Sequence, residues 1–267
     1  MKIQGLGSRA FRLAAAVAAI GLAACATPPQ EAEALKEFRE ANDPVEPLNR
    51  YFFDVNNFLD KLILKPVTQG YLLLPDGPRS GVTNFLRNLD APVILANDLL
   101  QGKLDRATIT AERFAINTTI GVGGLFDVAT DAGIERHVED FGQTLGYWGA
   151  SEGPYLVLPL LGPAPPRDLV GRVADYFMDP LTWVAINSDE RWIGPVRFTA
   201  ELIDFRARNF DEIDKIEREA VDLYARVRSA YRQSRADDIR DGKGGPLVPV
   251  PQISITDDGP RKVSQGD

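Results

Sequence analysis

The sequence predicts an all-α protein, and three observations carry that prediction. Apolar residues recur at steps of three and four through most of residues 48–231, the spacing of one helical face. The 23 glycines and 19 prolines are spread along the 267 residues, so they punctuate many short elements instead of marking one linker. Only Tyr155 to Leu161 has the composition of a strand. Pro159 breaks it, which leaves one edge strand or an extended crossing.

In chain order, Lys2, Arg9 and Arg12 precede an apolar run from Leu13 to Ala23 that only Gly21 interrupts. Basic residues, a short apolar core and small residues at a cut site make a secretory signal over residues 1–24. The run is too short to span a bilayer, which takes roughly 20 apolar residues. It ends in Leu22-Ala23-Ala24-Cys25, a sequence like a bacterial lipobox, and Cys25 is the only cysteine. A lone thiol makes no internal disulfide, so lipidation is the chemistry expected of Cys25. One acyl chain anchors only marginally, at about 0.8 kcal/mol per buried methylene, whereas several chains on one residue anchor for good. Ala26 stands where an inner-membrane retention signal usually has aspartate, which favours the outer membrane.

Residues 25–41 read as a tether, with Thr27-Pro28-Pro29 and then a loose helix over Glu31–Glu40. The folded body is expected over residues 42–240. Asp43 is the expected cap of its first helix, Pro44 suits the first helical position, and Pro47 allows a later start. Leu48, Tyr51, Phe52, Val55, Phe58, Leu59 and Leu62 make an aromatic stripe that Lys65-Pro66 should end. That stripe suits either a core or an interfacial position among acyl chains. After Pro75-Asp76-Gly77-Pro78, Val82, Phe85, Leu86 and Leu89 mark a second helix. Ala91-Pro92 should open a third that stops at Gln101-Gly102. Asp105 is the expected cap of the next, with Ile109, Phe114, Ile116 and Ile120 as its apolar set.

Gly121-Val122-Gly123-Gly124 invites a nucleotide-loop reading, which fails because these glycines follow a helix instead of opening one. Gly121, Gly123 and Gly124 are instead expected to bend a helical hairpin. Asp140 to Trp148 reads as a short aromatic helix or turn. Gly149-Ala150-Ser151-Glu152-Gly153 matches G-x-S-x-G, but no buried strand enters Ser151, Pro154 follows at once, and the only histidine, His137, precedes it. A glycine-rich loop is the better reading. His137 sits among Glu135, Arg136, Glu139 and Asp140 and is expected to be solvated or ion-paired. A zinc site lacks ligands.

Asp168, Arg172 and Asp175 share one face of a helix whose other face carries Leu169, Val173, Tyr176 and Phe177. That polar face reads either as a solvated surface or as the wall of an internal passage. Trp183 and Trp192 suit a membrane interface. A long helical region from Val196 to Arg240, kinked near Asn209, carries Ile213, Ile216, Ala220, Leu223, Tyr224, Val227 and Tyr231. Residues 241–267 turn to Gly, Pro and charge and read as a disordered tail.

The net charge of −8 becomes −11 once the three basic residues of the signal are removed. An acidic protein outside the cytoplasm is a poor nucleic-acid binder. No cofactor or metal is called for.

Taken together, several stretches resemble the MlaA/VacJ family of outer-membrane lipoproteins. They are Asn42-Asp43-Pro44 with Leu48-Asn49-Arg50, Lys65-Pro66-Val67, Val82-Thr83-Asn84-Phe85 and Leu100-Gln101-Gly102. Arg113-Phe114 with Asn117-Thr118, Gly121 to Ala129, Glu139 to Gly146, Gly153-Pro154-Tyr155 and Arg167-Asp168 continue the match. The resemblance implies a monomeric, all-helical ring around a central amphipathic channel, set in the inner leaflet of the outer membrane. It implies a hairpin over Asp105–Asp131 and polar channel positions at Asp168, Asp175 and Arg206. It also implies a trimeric porin and a soluble periplasmic phospholipid carrier as partners, with phospholipid as cargo removed from the outer leaflet. Two other readings are a lipoprotein that only braces porins and, through Ser151 or a carboxylate, a phospholipid hydrolase.

Overall fold

The computed structural model describes residues 41–241. The signal, Cys25, the tether before Ala41 and the tail after Asp241 lie outside the described residues. The chain forms two compact units, one of residues up to 58 together with 152–166, the other of 59–151 together with 167 onward.

The first unit holds most of α1, Glu46–Leu59, and a two-stranded antiparallel ribbon, β1 (Val157–Leu158) with β2 (Gly162–Pro163). The helix starts at Glu46, after the expected cap, and the Asp43 carboxylate instead accepts from Asn49 Nδ2 at 2.7 Å. Three asparagines at seven-residue spacing then grip the extended segment 153–160. Asn42 Nδ2 donates to the Gly153 carbonyl and the Asn42 carbonyl accepts from Tyr155 N. Asn49 donates to the Tyr155 carbonyl and accepts from Val157 N, both at 2.9 Å. Asn56 does the same for Leu158 and Leu160. An amide carries one acceptor and two donors, so Asn49 and Asn56 each satisfy a carbonyl and an N–H of the segment, whereas Asn42 uses its amide for the one and its main-chain carbonyl for the other.

The second unit is helical. Its elements are a π-turn over Asp60–Leu64, α2 (Lys65–Tyr71), α3 (Asp76–Leu100), α4 (Leu104–Thr119), α5 (Val128–Asp131) and α6 (Phe141–Tyr147). They continue with α7 (Pro166–Met178), α8 (Pro180–Asn187), α9 (Ile193–Arg208), α10 (Phe210–Glu219) and α11 (Leu223–Ile239). Helix α3 packs along α4, α2 along α9, and α6 against both α3 and α11.

Several expected boundaries move, each for a local reason. Lys65-Pro66 does not end the helix. The π-turn closes with Lys65 N bonded to Asp60 O, five residues back, and Pro66 occupies the first turn of α2, where its missing N–H costs nothing. Pro92 does not open a new helix but lies inside α3. Ala91 and Ile94 are buried beside it, and their packing outweighs the one lost hydrogen bond. Asp105 is not the cap of α4. Lys103 is, and Asp105 stands in the first turn, where its charge faces the helix dipole favourably. The long C-terminal helix is three helices. Asn209 separates α9 from α10, and extended backbone at Ala220 and Asp222 separates α10 from α11, whose first turn Asp222 caps through Ala225 N at 3.0 Å.

At the glycine bend, Gly123 and Gly124 take positive φ of 71° and 91°. A Cβ at Gly121 would clash with the carbonyls of Phe126 and Asn117, and one at Gly124 with the Asn88 side chain. The chain reverses there, and the returning arm is a single helical turn, α5.

Burial is inverted relative to a water-soluble bundle. Of the expected apolar set of α4, Phe114 and Ile120 are exposed and Ile109 and Ile116 only half-buried, while Thr110, Arg113 and Asn117 are buried. Helix α3 buries Thr83, Asn88, Asn97 and Asp98 among its apolar residues. On α7, Asp168 and Gly171 are inside and Val173, Tyr176 and Phe177 outside. Among the described residues no helix is long and apolar enough to cross a membrane.

Candidate functional site

The second unit is organised around buried polar side chains, and its helices supply them at steps of three and four. Asp168 accepts from Tyr231 Oη at 2.7 Å, Arg167 Nε at 3.0 Å and Arg235 Nη2 at 3.1 Å. Arg235 also clamps Asp140, the side-chain cap of α6. Burial opposes ionisation of Asp168 and Asp140. The Arg235 charge and the donated hydrogen bonds outweigh it, so both carboxyls stay below the usual carboxylate range. Asp175 differs. Its Oδ1 accepts from Asn97 Nδ2 and Phe141 N, both at 3.0 Å. Burial and the nearby Asp140 charge push it up to about 7.

From Asn97 the network runs through Thr144 to Gln101 and on to Glu139. Lys103 and Arg106 pair with Glu139 at 3.1 Å, and burial still holds the Glu139 carboxyl above its ordinary value. On α4, Arg113 forks both oxygens of Asp127 at 2.9 Å, and Asn117 donates to the same carboxylate. Against the effect of burial, the bonds from Thr130 and Asn117 and the Arg113 charge keep Asp127 low. His137 Nε2 lies 2.9 Å from Asp98 of α3 and 3.1 Å from Thr110 Oγ1, so its ring is held by hydrogen bonds to another helix and not left in solvent.

Arg206 lies in a separate cluster, paired with Asp60 at 3.1 Å and Asp214 at 2.7 Å and stacked over Phe210. Asp168 is 3% and Arg206 2% exposed. The structure therefore brings Asp168 and Asp175 into one polar body, through Asp140 and α6, and keeps Arg206 in another. The solvated-surface reading of the α7 acids does not hold for Asp168, which is buried, whereas Arg172 on the same face is exposed. Ser151 stands in an exposed loop between α6 and β1, without the strand and helix an elbow needs, and His137 is engaged elsewhere.

Two clefts open in this unit, and they share Asn84 and Arg87 of α3. The smaller, about 30 Å³, reaches Arg113, Asn117 and Asp127 of the α4 region, with Arg136 and His137. The larger, about 270 Å³, is walled by Arg79, Ser80 and Thr83 of α3, by Tyr71 of α2, and by Asp204 and Arg208 of α9, with Asp76 at its mouth. Asp168, Asp175 and Arg206 line neither cleft. The sequence did contain a signal for the larger one. Arg79, Thr83 and Arg87 stand at i, i+4 and i+8, a polar stripe on the helix marked in the sequence by Val82, Phe85, Leu86 and Leu89. Among the described residues no group of three or more His, Cys, Asp or Glu side chains could hold a metal.

The profile of a family described as MlaA lipoprotein matches residues 41–238. The intermembrane phospholipid transport system lipoprotein MlaA of Haemophilus influenzae is 34% identical over 241 residues, 86% of this chain and 91% of that protein. The protein of the same name from Escherichia coli is 37% identical over 214 residues, 78% of this chain and 81% of that one. A solved structure described as "Structural basis for maintenance of bacterial outer membrane lipid asymmetry" superposes with a TM-score of 0.67 at 36% identity, covering 74% of this chain and 98% of the other. With the family profile matching nearly the whole described region and relatives this similar, the chain belongs to the MlaA lipoprotein family.

Proposed function

We propose that this protein is a lipid-anchored protein of the outer membrane that removes phospholipids from the outer leaflet and delivers them to a soluble periplasmic carrier. The relatives' role in intermembrane phospholipid transport supports the reading. The observation that carries it is the inverted burial: acids, arginines and amides inside the second unit, and Val173, Tyr176, Phe177, Trp183 and Ile120 outside.

That arrangement meets the physical problem of the reaction. A head group entering a hydrocarbon core of about 30 Å loses its water, and an ionised group unpaired there costs many kcal/mol. A polar wall stands in for water on one side, and an apolar exterior leaves the acyl chains in oil on the other. No bond is made or broken. Direction comes from uptake by the carrier.

In this reading Cys25 carries the acyl anchor, and the exposed aromatic residues lie among the acyl chains of the inner leaflet. A trimeric porin gives the protein its place, and Asp168, Asp175 and Arg206 fix the polar interior. The test is lipid asymmetry in a strain lacking the gene. Amine-reactive labelling should show more phosphatidylethanolamine in the outer leaflet, and wild-type protein should restore the parent level. An unchanged outer leaflet in the deletion strain would sink transport and leave a bracing role. Native mass spectrometry of gently extracted protein should report the porin and bound phospholipid together.

A further inference from the structure

We infer that the 270 Å³ cleft between α2, the first half of α3 and the end of α9 is a binding site for the phosphodiester head of a glycerophospholipid. The inference rests on the transport reading and gives it a stopping point within the second unit.

Three guanidinium groups, Arg79, Arg87 and Arg208, meet there with two carboxylates, Asp76 and Asp204. Arginine presents a planar fork that matches phosphate oxygens, and three guanidinium groups lining one cleft suit a phosphodiester better than a neutral polar ligand. The positions are built, not incidental. Asp204 is buried and accepts from Thr83 Oγ1 at 2.5 Å and from Arg208 Nε at 2.9 Å, which fixes the plane of that guanidinium. Arg79 Nε donates to the Leu74 carbonyl at 3.0 Å while its Nη2 pairs with Asp76. Arg208 is thus held through Nε, and Arg79 through both Nε and Nη2.

The size limits the ligand. A pocket that encloses a drug-sized molecule holds roughly 300–1,000 Å³, so this cleft takes a head group and leaves the acyl chains outside. The surroundings fit that division. Leu73, the most exposed large apolar residue between α2 and α3, and Leu74 adjoin the arginine that bonds Leu74, and Phe85 follows Asn84 on the outer face of α3.

The test is calorimetric titration of the full lipidated protein in detergent micelles. The probes are short-chain phosphatidylethanolamine, glycerophosphoethanolamine, inorganic phosphate and a short-chain diacylglycerol. Short-chain phosphatidylethanolamine should bind, and the doubly substituted Arg79→Gln, Arg87→Gln protein should bind it at least tenfold more weakly. The matching Arg79→Lys, Arg87→Lys protein should recover part of the loss, since lysine keeps the charge without the fork. Arg191→Gln, an exposed substitution away from the cleft, should change nothing. Unchanged affinity in the Gln pair, with circular dichroism showing it folded, overturns the site. Inorganic phosphate binding as tightly as the lipid makes it a free-phosphate site and overturns the lipid assignment, as does equal binding of the diacylglycerol. The wild-type protein restoring asymmetry in the deletion strain while the Gln pair binds normally removes this site and leaves transport standing. Failure of the wild-type protein to restore asymmetry removes transport itself.

Discussion

Asp175 and Asn49 show how much single side chains decide. The Asp175 carboxyl ionises near pH 7 in the fold and near 3.8 when unfolded. Its neutral form is the one the fold favours, so the stability it contributes is present below about pH 4 and is lost as pH rises through 7. Thermal melts of the wild type should therefore fall between pH 5 and 8. Asp175→Asn should flatten that slope, because both 3.0 Å bonds reach Oδ1 and an amide oxygen accepts them equally. A wild-type slope retained in full by Asp175→Asn would contradict this. Asn49 is 1% exposed and satisfies a buried N–H and a buried carbonyl. Asn49→Ala orphans both, so urea unfolding should show a loss of about 3 kcal/mol. Asn56→Ala, at a half-buried site, should lose less. The shared face of Asp168 and Asp175 was legible from spacing, and so was the charged setting of His137. The partners were not: Arg235 lies 67 residues from Asp168, and Asp98 lies 39 from His137. Periodicity describes one helix at a time and carries no information about which helix faces it.

Helix α6 meets α7 where both carry glycine. A Cβ on Gly171 would fall on the backbone of Gly142, and one on Gly142 would meet Arg235 and Asp168. The close approach lets Asp140 and Asp168 share one arginine. Gly171→Ala should cost about 1–3 kcal/mol by overpacking and loosen that ion cluster. Gly70→Ala, in α2 with nothing within 4 Å of the added carbon, should be neutral or stabilising by up to about 1 kcal/mol. Differential scanning calorimetry of the two variants separates packing from propensity; equal melting temperatures would show that the crossing is looser than described. At this scale the all-helical character and the positions of α1, α4 and α7 followed from the sequence, whereas α2, α8, the three-way division of the C-terminal region and the proline boundaries did not. Pro66 and Pro92 stop a helix only when nothing else holds it. A π-turn absorbs the first, and buried neighbours override the second.

For the whole molecule, the pattern gave two faces to each helix and left open which one turns inward. In water the apolar face is the one buried; in the second unit acids, amides and arginines are buried while Phe114, Ile120 and Phe177 are exposed. On α4 this leaves Phe114 and Ile120 exposed and Thr110, Arg113 and Asn117 buried. The larger cleft was missed because the polar stripe of Arg79, Thr83 and Arg87 was not singled out in the sequence. Phe177 is 55% exposed on α7. Phe177→Asp should leave unfolding in detergent within about 0.5 kcal/mol of wild type, as surface changes do. It should also reduce flotation of unacylated protein with liposomes. Undiminished flotation would place that face away from the bilayer.

Two of the asparagines of the first unit, Asn49 and Asn56, depend on a match between two rulers. Seven residues of α-helix advance about 10.5 Å, and three residues of extended chain about 10 Å. Asn49 and Asn56 meet the segment three residues apart, at Tyr155 and Leu158. Helix and strand therefore mesh like a gear on a rack. Deleting one residue between the two asparagines turns one tooth by about 100° and disengages it. Adding seven helical residues together with three extended ones should re-engage the pair, and length change in this region should be tolerated only in that ratio.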